Sequence, residues 1–110
     1  MNKEIKQKWI KALRSGKYRQ TTNKLRNHNG AMCCLGVLCD IQGAEWDHAT
    51  SSWVGYQCSI KGSAEFSDTP RQYVAGIPKR IREKLMSMND GVGVPKHSFA
   101  EIADYVEKKL

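Results

Sequence analysis

The segment "GAMCCLGVLCDIQG", residues 30–43, decides how this chain is expected to fold, because two structural patterns meet in it. Its first part, "AMCC", is short and apolar, as expected of a strand. After it, Leu35, Leu38 and Ile41 recur at three-residue spacing, which predicts a helix that ends at Gly43. The helix is apolar on nearly all sides, so we expect it to be buried.

The residues before this segment predict a helix and a hairpin. Residues 3–14 form a first helix with one apolar face, and Gly16 follows its last turn as a left-handed cap. The stretch "YRQTTNKLR", residues 18–26, is rich in Thr and Tyr, which predicts a strand. The turn-forming "NHNG" at 27–30 would then allow "AMCC" to pair with it.

The residues after this segment predict short strands and two further helices. Residues 44–67 carry spaced aromatic side chains and turn signals, typical of short antiparallel strands. Apolar stripes predict helices within 76–90 and 98–110, and Ser98 with Glu101 forms a capping box at the start of the second. The sequence therefore predicts one globular domain over residues 1–110, of α+β class, with about four helices and a small antiparallel sheet or hairpin.

The formal net charge of +7 is concentrated at the N-terminal end. Residues 1–30 hold nine basic side chains against Glu4, a balance of +8, whereas the balance is −4 over residues 31–70 and +3 over the remainder. A basic end beside an acidic middle indicates a polyanion or an acidic surface as partner: nucleic acid, a nucleotide or a host protein. The candidate polyanion-binding residues are Arg14, Lys17, Arg19, Lys24 and Arg26.

The same composition bears on compartment. No apolar run approaches the ~20 residues of a membrane span. The N-terminal residues lack the apolar core of a secretory signal. We therefore expect a cytoplasmic protein with no membrane partner. The sequence does not determine the oligomeric state.

The cysteines have a structural and a chemical interpretation. Their C-C-x4-C spacing does not match the paired motifs of zinc sites, so we predict neither a metal nor a cofactor. In a cytoplasmic protein, closely spaced cysteines are typically buried thiols. Gly36 would let another backbone segment approach this junction closely.

The alternative is a cysteine-dependent hydrolase. A cysteine where a strand runs into a helix has its pKa lowered by the helix N-terminus. The stretch "CCLGVL" is similar to the Cys-x-Gly-aliphatic segment of NlpC/P60-type peptidases. By that resemblance Cys34 is the nucleophile, with His48 or His97 as the base.

Three motifs span most of the chain: Trp-x-x-Ala-Leu-Arg-Ser-Gly-x-Tyr at 9–18, Cys-Cys-Leu-Gly-Val-Leu-Cys at 33–39 and Ser-Phe-x-Glu-Ile-Ala at 98–103. Together they resemble a family of small uncharacterised phage and prophage proteins. Met88 stands where that family has the Leu of Leu-Asn-Asp, and the "GVGVPKH" connection at 91–97 is longer than usual. The resemblance implies a phage-type accessory protein that acts by binding, and it implies no residue roles. We therefore predict a non-catalytic binding module.

Overall fold

The computed structural model describes residues 1–23, 25–27, 29–48, 56–59, 66–67 and 76–110. Within these ranges the chain forms four α-helices, α1 (Lys3–Arg14), α2 (Cys34–Ile41), α3 (Lys79–Asp90) and α4 (Phe99–Lys109). Three short stretches, β1 (Glu45–His48), β2 (Tyr56–Ser59) and β3 (Phe66–Ser67), pair antiparallel in the order β1-β2-β3. None of the helices in the described ranges is long and apolar enough to cross a bilayer.

The predicted α+β class is wrong, because the described part of the protein is mostly helical. The helices contain 12, 8, 12 and 11 residues, whereas the paired stretches contain 4, 4 and 2. The physical reason is that, among the residues whose side chains the structure describes, the buried core comes from the helices and the segments next to them. The buried cluster consists of Trp9, Ile10, Leu13, Leu25, Met32, Cys34, Leu35, Val37, Leu38, Cys39, Ile77, Leu85, Met88, Phe99, Ile102, Ala103 and Val106.

Among the described residues of 18–34, the predicted hairpin does not form as two strands. Met32 instead makes isolated bridges, to Gln20 in parallel and to Arg26 in antiparallel orientation. Between those two partners Asn23 adopts a left-handed conformation with φ of 62°. A residue in this conformation interrupts extended backbone, so the described residues of 18–26 do not run as one strand.

The turn predicted at residues 27–30 is present in its described residues, Asn27, Asn29 and Gly30. The Asn27 N–H donates to the Ala31 carbonyl at 2.9 Å, and Asn27 Oδ1 accepts from the N–H groups of Asn29 and Ala31. An asparagine side chain that bonds to the backbone two residues on is a common way to hold a turn. The prediction of a turn was therefore correct, whereas the prediction of a strand on each side of it was wrong.

Helices α1 and α4 begin where the sequence predicts. Asn2 Oδ1 accepts from the N–H groups of Glu4 and Ile5 at the start of α1. Ser98 and Glu101 form the expected capping box at the start of α4, with both hydrogen bonds present. Such side chains satisfy backbone donors that the first helical turn leaves without partners.

Helix α2 is buried at the centre, as its apolar composition indicates. The Trp9 indole N–H donates to the Cys34 carbonyl at 3.0 Å and so ties α1 to the start of α2. A Cβ atom on Gly36 would lie 2.0 Å from the Leu25 carbonyl oxygen. The close backbone approach expected at Gly36 is confirmed, and any side chain there would force the two segments apart.

Candidate anion-binding surface

Helix α1 separates an apolar side from a basic side. Trp9, Ile10 and Leu13 are buried, whereas Lys8 and Lys11 are exposed. This separation follows from the helical repeat, because residues three and four apart share a face. Burial of the apolar side therefore holds the lysines toward solvent.

Four exposed cations on and after α1 form what we call the α1 basic face: Lys8, Lys11, Arg14 and Lys17. Of these, only Arg14 makes an ion pair within the described part of the chain. The three lysines thus have no carboxylate within ion-pair distance among the described residues. An uncompensated set of cations on one helix face attracts anions.

An open cleft lies at the C-terminal end of this face. Its volume is about 540 Å³, and it is lined by Gln7, Ile10, Lys11, Arg14, Ser15 and Lys17. The Ser15 hydroxyl donates to the Ala12 carbonyl at 2.7 Å and accepts from the Lys17 N–H at 3.2 Å. These two bonds turn the chain at the helix end and place Lys17 in the same cleft as Lys11.

Arg14 connects the cleft to α4. One guanidinium nitrogen, Nη2, lies 2.7 Å from Asp104 Oδ1 and 2.8 Å from Glu107 Oε2. Hydrogen bonds to these carboxylates raise the pKa of Arg14 further above its ordinary value. The guanidinium therefore remains charged, but two neighbouring anions already occupy it.

The structure divides the predicted polyanion-binding residues. Arg14 and Lys17 line the cleft, whereas Arg19 Nη2 donates to the Asn29 carbonyl at 2.6 Å, on the loop before α2. The Arg26 guanidinium lies over the Trp46 ring, 5.7 Å from its centroid. Lys24 lies outside the described residues. Sequence reasoning omitted Lys8 and Lys11, although their spacing relative to the buried residues of α1 places both on the exposed side.

Cys34 and Cys39 lie in the core, and Cys33 packs against it, rather than on this surface. Cys34 and Cys39 are fully buried, Cys33 is partly buried, and all three are free thiols. Burial raises the pKa of Cys33 to about 11 and that of Cys34 well above its ordinary value. A reactive thiol has a lowered pKa and access to solvent, so these properties are typical of structural cysteines.

The proposed base, His48, has a side chain outside the described residues. His97 is described: its N–H donates to the Met88 carbonyl at 2.8 Å, and its own carbonyl accepts from Gln20 Nε2. In the described ranges no group of three or more His, Cys, Asp or Glu residues is arranged to hold a metal ion.

Sequence reasoning also missed a buried polar centre at Asn89, which is fully buried. Asn89 Oδ1 accepts from the Cys34 N–H at 3.1 Å and from Gln20 Nε2 at 3.0 Å, and its Nδ2 donates to the Thr21 carbonyl at 2.9 Å. The Cys34 N–H is the first donor of α2 and has no partner within that helix. Asn89 thus caps α2 from another helix. Its position four residues after Leu85, on the apolar stripe of α3, was the available signal.

A second polar group orders the loop beside α2. Asp40 Oδ2 accepts from the Tyr18 hydroxyl at 2.7 Å, and Asp40 Oδ1 accepts from the Trp46 indole N–H at 3.0 Å. Partial burial and this contact with Asp40 raise the pKa of Tyr18 to about 12. The Asp40 carboxylate therefore accepts from two donors. Through one of them it holds Tyr18, the residue after Lys17, against α2.

A family model described as a domain of unknown function (DUF8296) matches residues 1–110, so the chain belongs to that family. No curated protein and no solved structure matches the chain. Membership brings no activity or site residues with it. The surface described above is therefore the basis for a functional proposal.

Proposed function

We propose that this member of the DUF8296 family is a non-catalytic binding domain whose α1 basic face contacts the phosphate backbone of a nucleic acid. It would act as a phage-type accessory protein in the cytoplasm of the host cell. The observation that carries the proposal is the α1 basic face itself. Its three lysines are exposed and have no carboxylate partner among the described residues, while the opposite side of the helix is buried.

The chemistry of these side chains suits phosphate rather than bases. A lysine ammonium on a flexible stem contacts phosphate oxygens as a point charge and reads no base edge. Lys11 and Lys17 line the same cleft, so together they can neutralise two phosphates along one nucleic-acid backbone. Binding of this kind depends strongly on salt and weakly on sequence.

The first experiment measures binding by fluorescence anisotropy with labelled DNA and RNA oligonucleotides of about 30 nucleotides, at several salt concentrations. The test variant is Lys11→Glu with Lys17→Glu. The control is Lys79→Glu with Lys84→Glu, which makes the same charge change on α3, a helix that packs on α2 and α4. All four lysines are exposed, so we expect both variants to fold.

We expect the test variant to bind about tenfold or more weakly, with the slope of log affinity against log salt reduced by about 1–2. We expect the control to bind within about threefold of the wild type, because only its long-range charge changes. Equal losses in both variants would refute a contact at the α1 basic face. Absence of salt-dependent binding to any oligonucleotide would refute the proposed function and would favour an acidic host protein as the partner.

A further inference from the structure

We infer that Asp104 and Glu107 of α4 act as built-in competitors for the ligand at the α1 basic face. In this role they hold Arg14 in the place that a phosphate group would take, and so they weaken binding. The inference rests on the proposed function and adds to it a regulation of the same site. A phosphate group can contact the Arg14 guanidinium only if it displaces these two carboxylates of the protein itself.

A bound phosphate and the two carboxylates would compete for the same guanidinium atoms of Arg14. Arg14 lines the cleft that Lys11 and Lys17 also line, so a phosphate held by the lysines lies within reach of the guanidinium. The same Nη2 atom already meets Asp104 Oδ1 and Glu107 Oε2 at 2.7 and 2.8 Å. Carboxylate and phosphate oxygens use the same guanidinium donors, and both prefer paired contacts. One anion therefore replaces the other.

The carboxylates are also free to leave. The side chains of Asp104 and Glu107 are 73% and 57% exposed, so water can solvate them once they are displaced. Within the described part of the chain, neither carboxylate accepts a hydrogen bond from a side chain other than that of Arg14. They lie three residues apart on one face of α4, and so they approach Arg14 together.

The ion pairs are not needed to hold the two helices together. Buried residues of α1, including Ile10 and Leu13, share one core with Ile102 and Val106 of α4. Exposed ion pairs contribute little to folding, whereas a buried apolar face contributes much more. Removing the carboxylates should therefore change binding without unfolding the domain.

The test is a double-mutant cycle between Arg14 and its two carboxylates, read out with the same labelled oligonucleotides. The variants are Asp104→Asn with Glu107→Gln, Arg14→Gln, and all three substitutions together. Glu83→Gln on α3 is the control, because it removes an exposed carboxylate that contacts Lys79 rather than Arg14. Thermal melting, monitored by circular dichroism, checks that each variant is folded.

We expect the double carboxylate variant to bind about two- to fivefold more tightly, the range that corresponds to freeing one exposed ion pair. We expect its salt slope to rise by about 0.7–0.9, for one additional phosphate contact. Arg14→Gln alone should weaken binding, because it leaves Asp104 and Glu107 without their cation beside the cleft. In the Arg14→Gln background, the carboxylate substitutions should give a clearly smaller gain in affinity than they give when Arg14 is present.

Two results would overturn the inference. If wild-type protein binds and loses affinity on Lys11→Glu with Lys17→Glu, but the gain from the carboxylate substitutions is equally large without Arg14, the competition is absent and the proposed function stands. If no variant binds any oligonucleotide, the inference and the proposed function both fail.

Discussion

Substitution of Asn89 by alanine tests whether the buried polar centre holds the described fold together. In the folded protein Asn89 has no exposed surface, and its side chain contacts the start of α2, the loop before α2 and the neighbouring Asp90. Alanine keeps α3 helical but removes every one of these hydrogen bonds. The Cys34 N–H is then left buried, without an acceptor among the described residues.

The expected loss of stability follows from these groups. A buried donor without a partner costs about 1–3 kcal/mol. The remaining hydrogen bonds of Asn89 reach partly buried partners and contribute about 0.5–1.5 kcal/mol each. The better helix propensity of alanine returns about 0.5 kcal/mol. Asn89 makes three such bonds, to Gln20, Thr21 and Asp90, so we expect Asn89→Ala to lower the free energy of unfolding by about 4–5 kcal/mol, a large share of the roughly 5–15 kcal/mol of a typical domain.

Urea denaturation followed by far-UV circular dichroism measures this loss, with Lys84→Ala as the control because Lys84 is exposed on the same helix. The control should stay within about 0.5 kcal/mol of the wild type. Hydrogen exchange of the Cys34 amide supplies a local readout, since this amide should exchange much faster in Asn89→Ala. A loss below about 1 kcal/mol, with the Cys34 amide still protected, would refute the role assigned to Asn89.

Two further predictions concern Tyr18 and Cys34. Because the folded pKa of Tyr18, about 12, lies above the unfolded value of about 10, the Tyr18–Asp40 contact contributes its full stability below pH 10 and loses it as the pH rises through about 12. Tyrosinate absorbance should show one late-titrating tyrosine that is missing from Tyr18→Phe; titration of all folded-state tyrosines near the ordinary pKa would contradict this. Cys34 should react with a thiol reagent at about pH 8 only as fast as the domain opens, with Cys34→Ser identifying its signal in mass spectra. Labelling of native Cys34 at the rate of a free thiol would instead favour the hydrolase.

Local patterns predicted the helices well. The first helix has the predicted bounds of residues 3–14, and the capping box at Ser98 and Glu101 is present. The close approach at Gly36 is also present. These features depend on residues a few positions apart, or on the absence of a side chain, and such information is contained in the sequence itself.

The predicted strand before α2 failed for a reason that local propensity does not contain. Thr and Tyr favour extended backbone, but residues 18–26 are bent at Asn23, whose N–H donates to Asp90 Oδ1 at 3.0 Å. That bond joins positions 67 residues apart. A partner so distant overrides β-propensity, which is a weak and context-dependent preference.

The sequence by itself therefore determined the amphipathic helices, the excess of cations near the N-terminus and the burial expected of the segment around Cys34. Only the tertiary structure decided that the described part is mostly helical, that Asn89 caps α2, and that Arg14 meets two carboxylates. The Arg14–Asp104 contact spans 90 residues, and the Cys34–Asn89 contact spans 55. Helical periodicity reports which side of an element is buried, but not which element covers it, because that choice depends on how all the buried faces pack together.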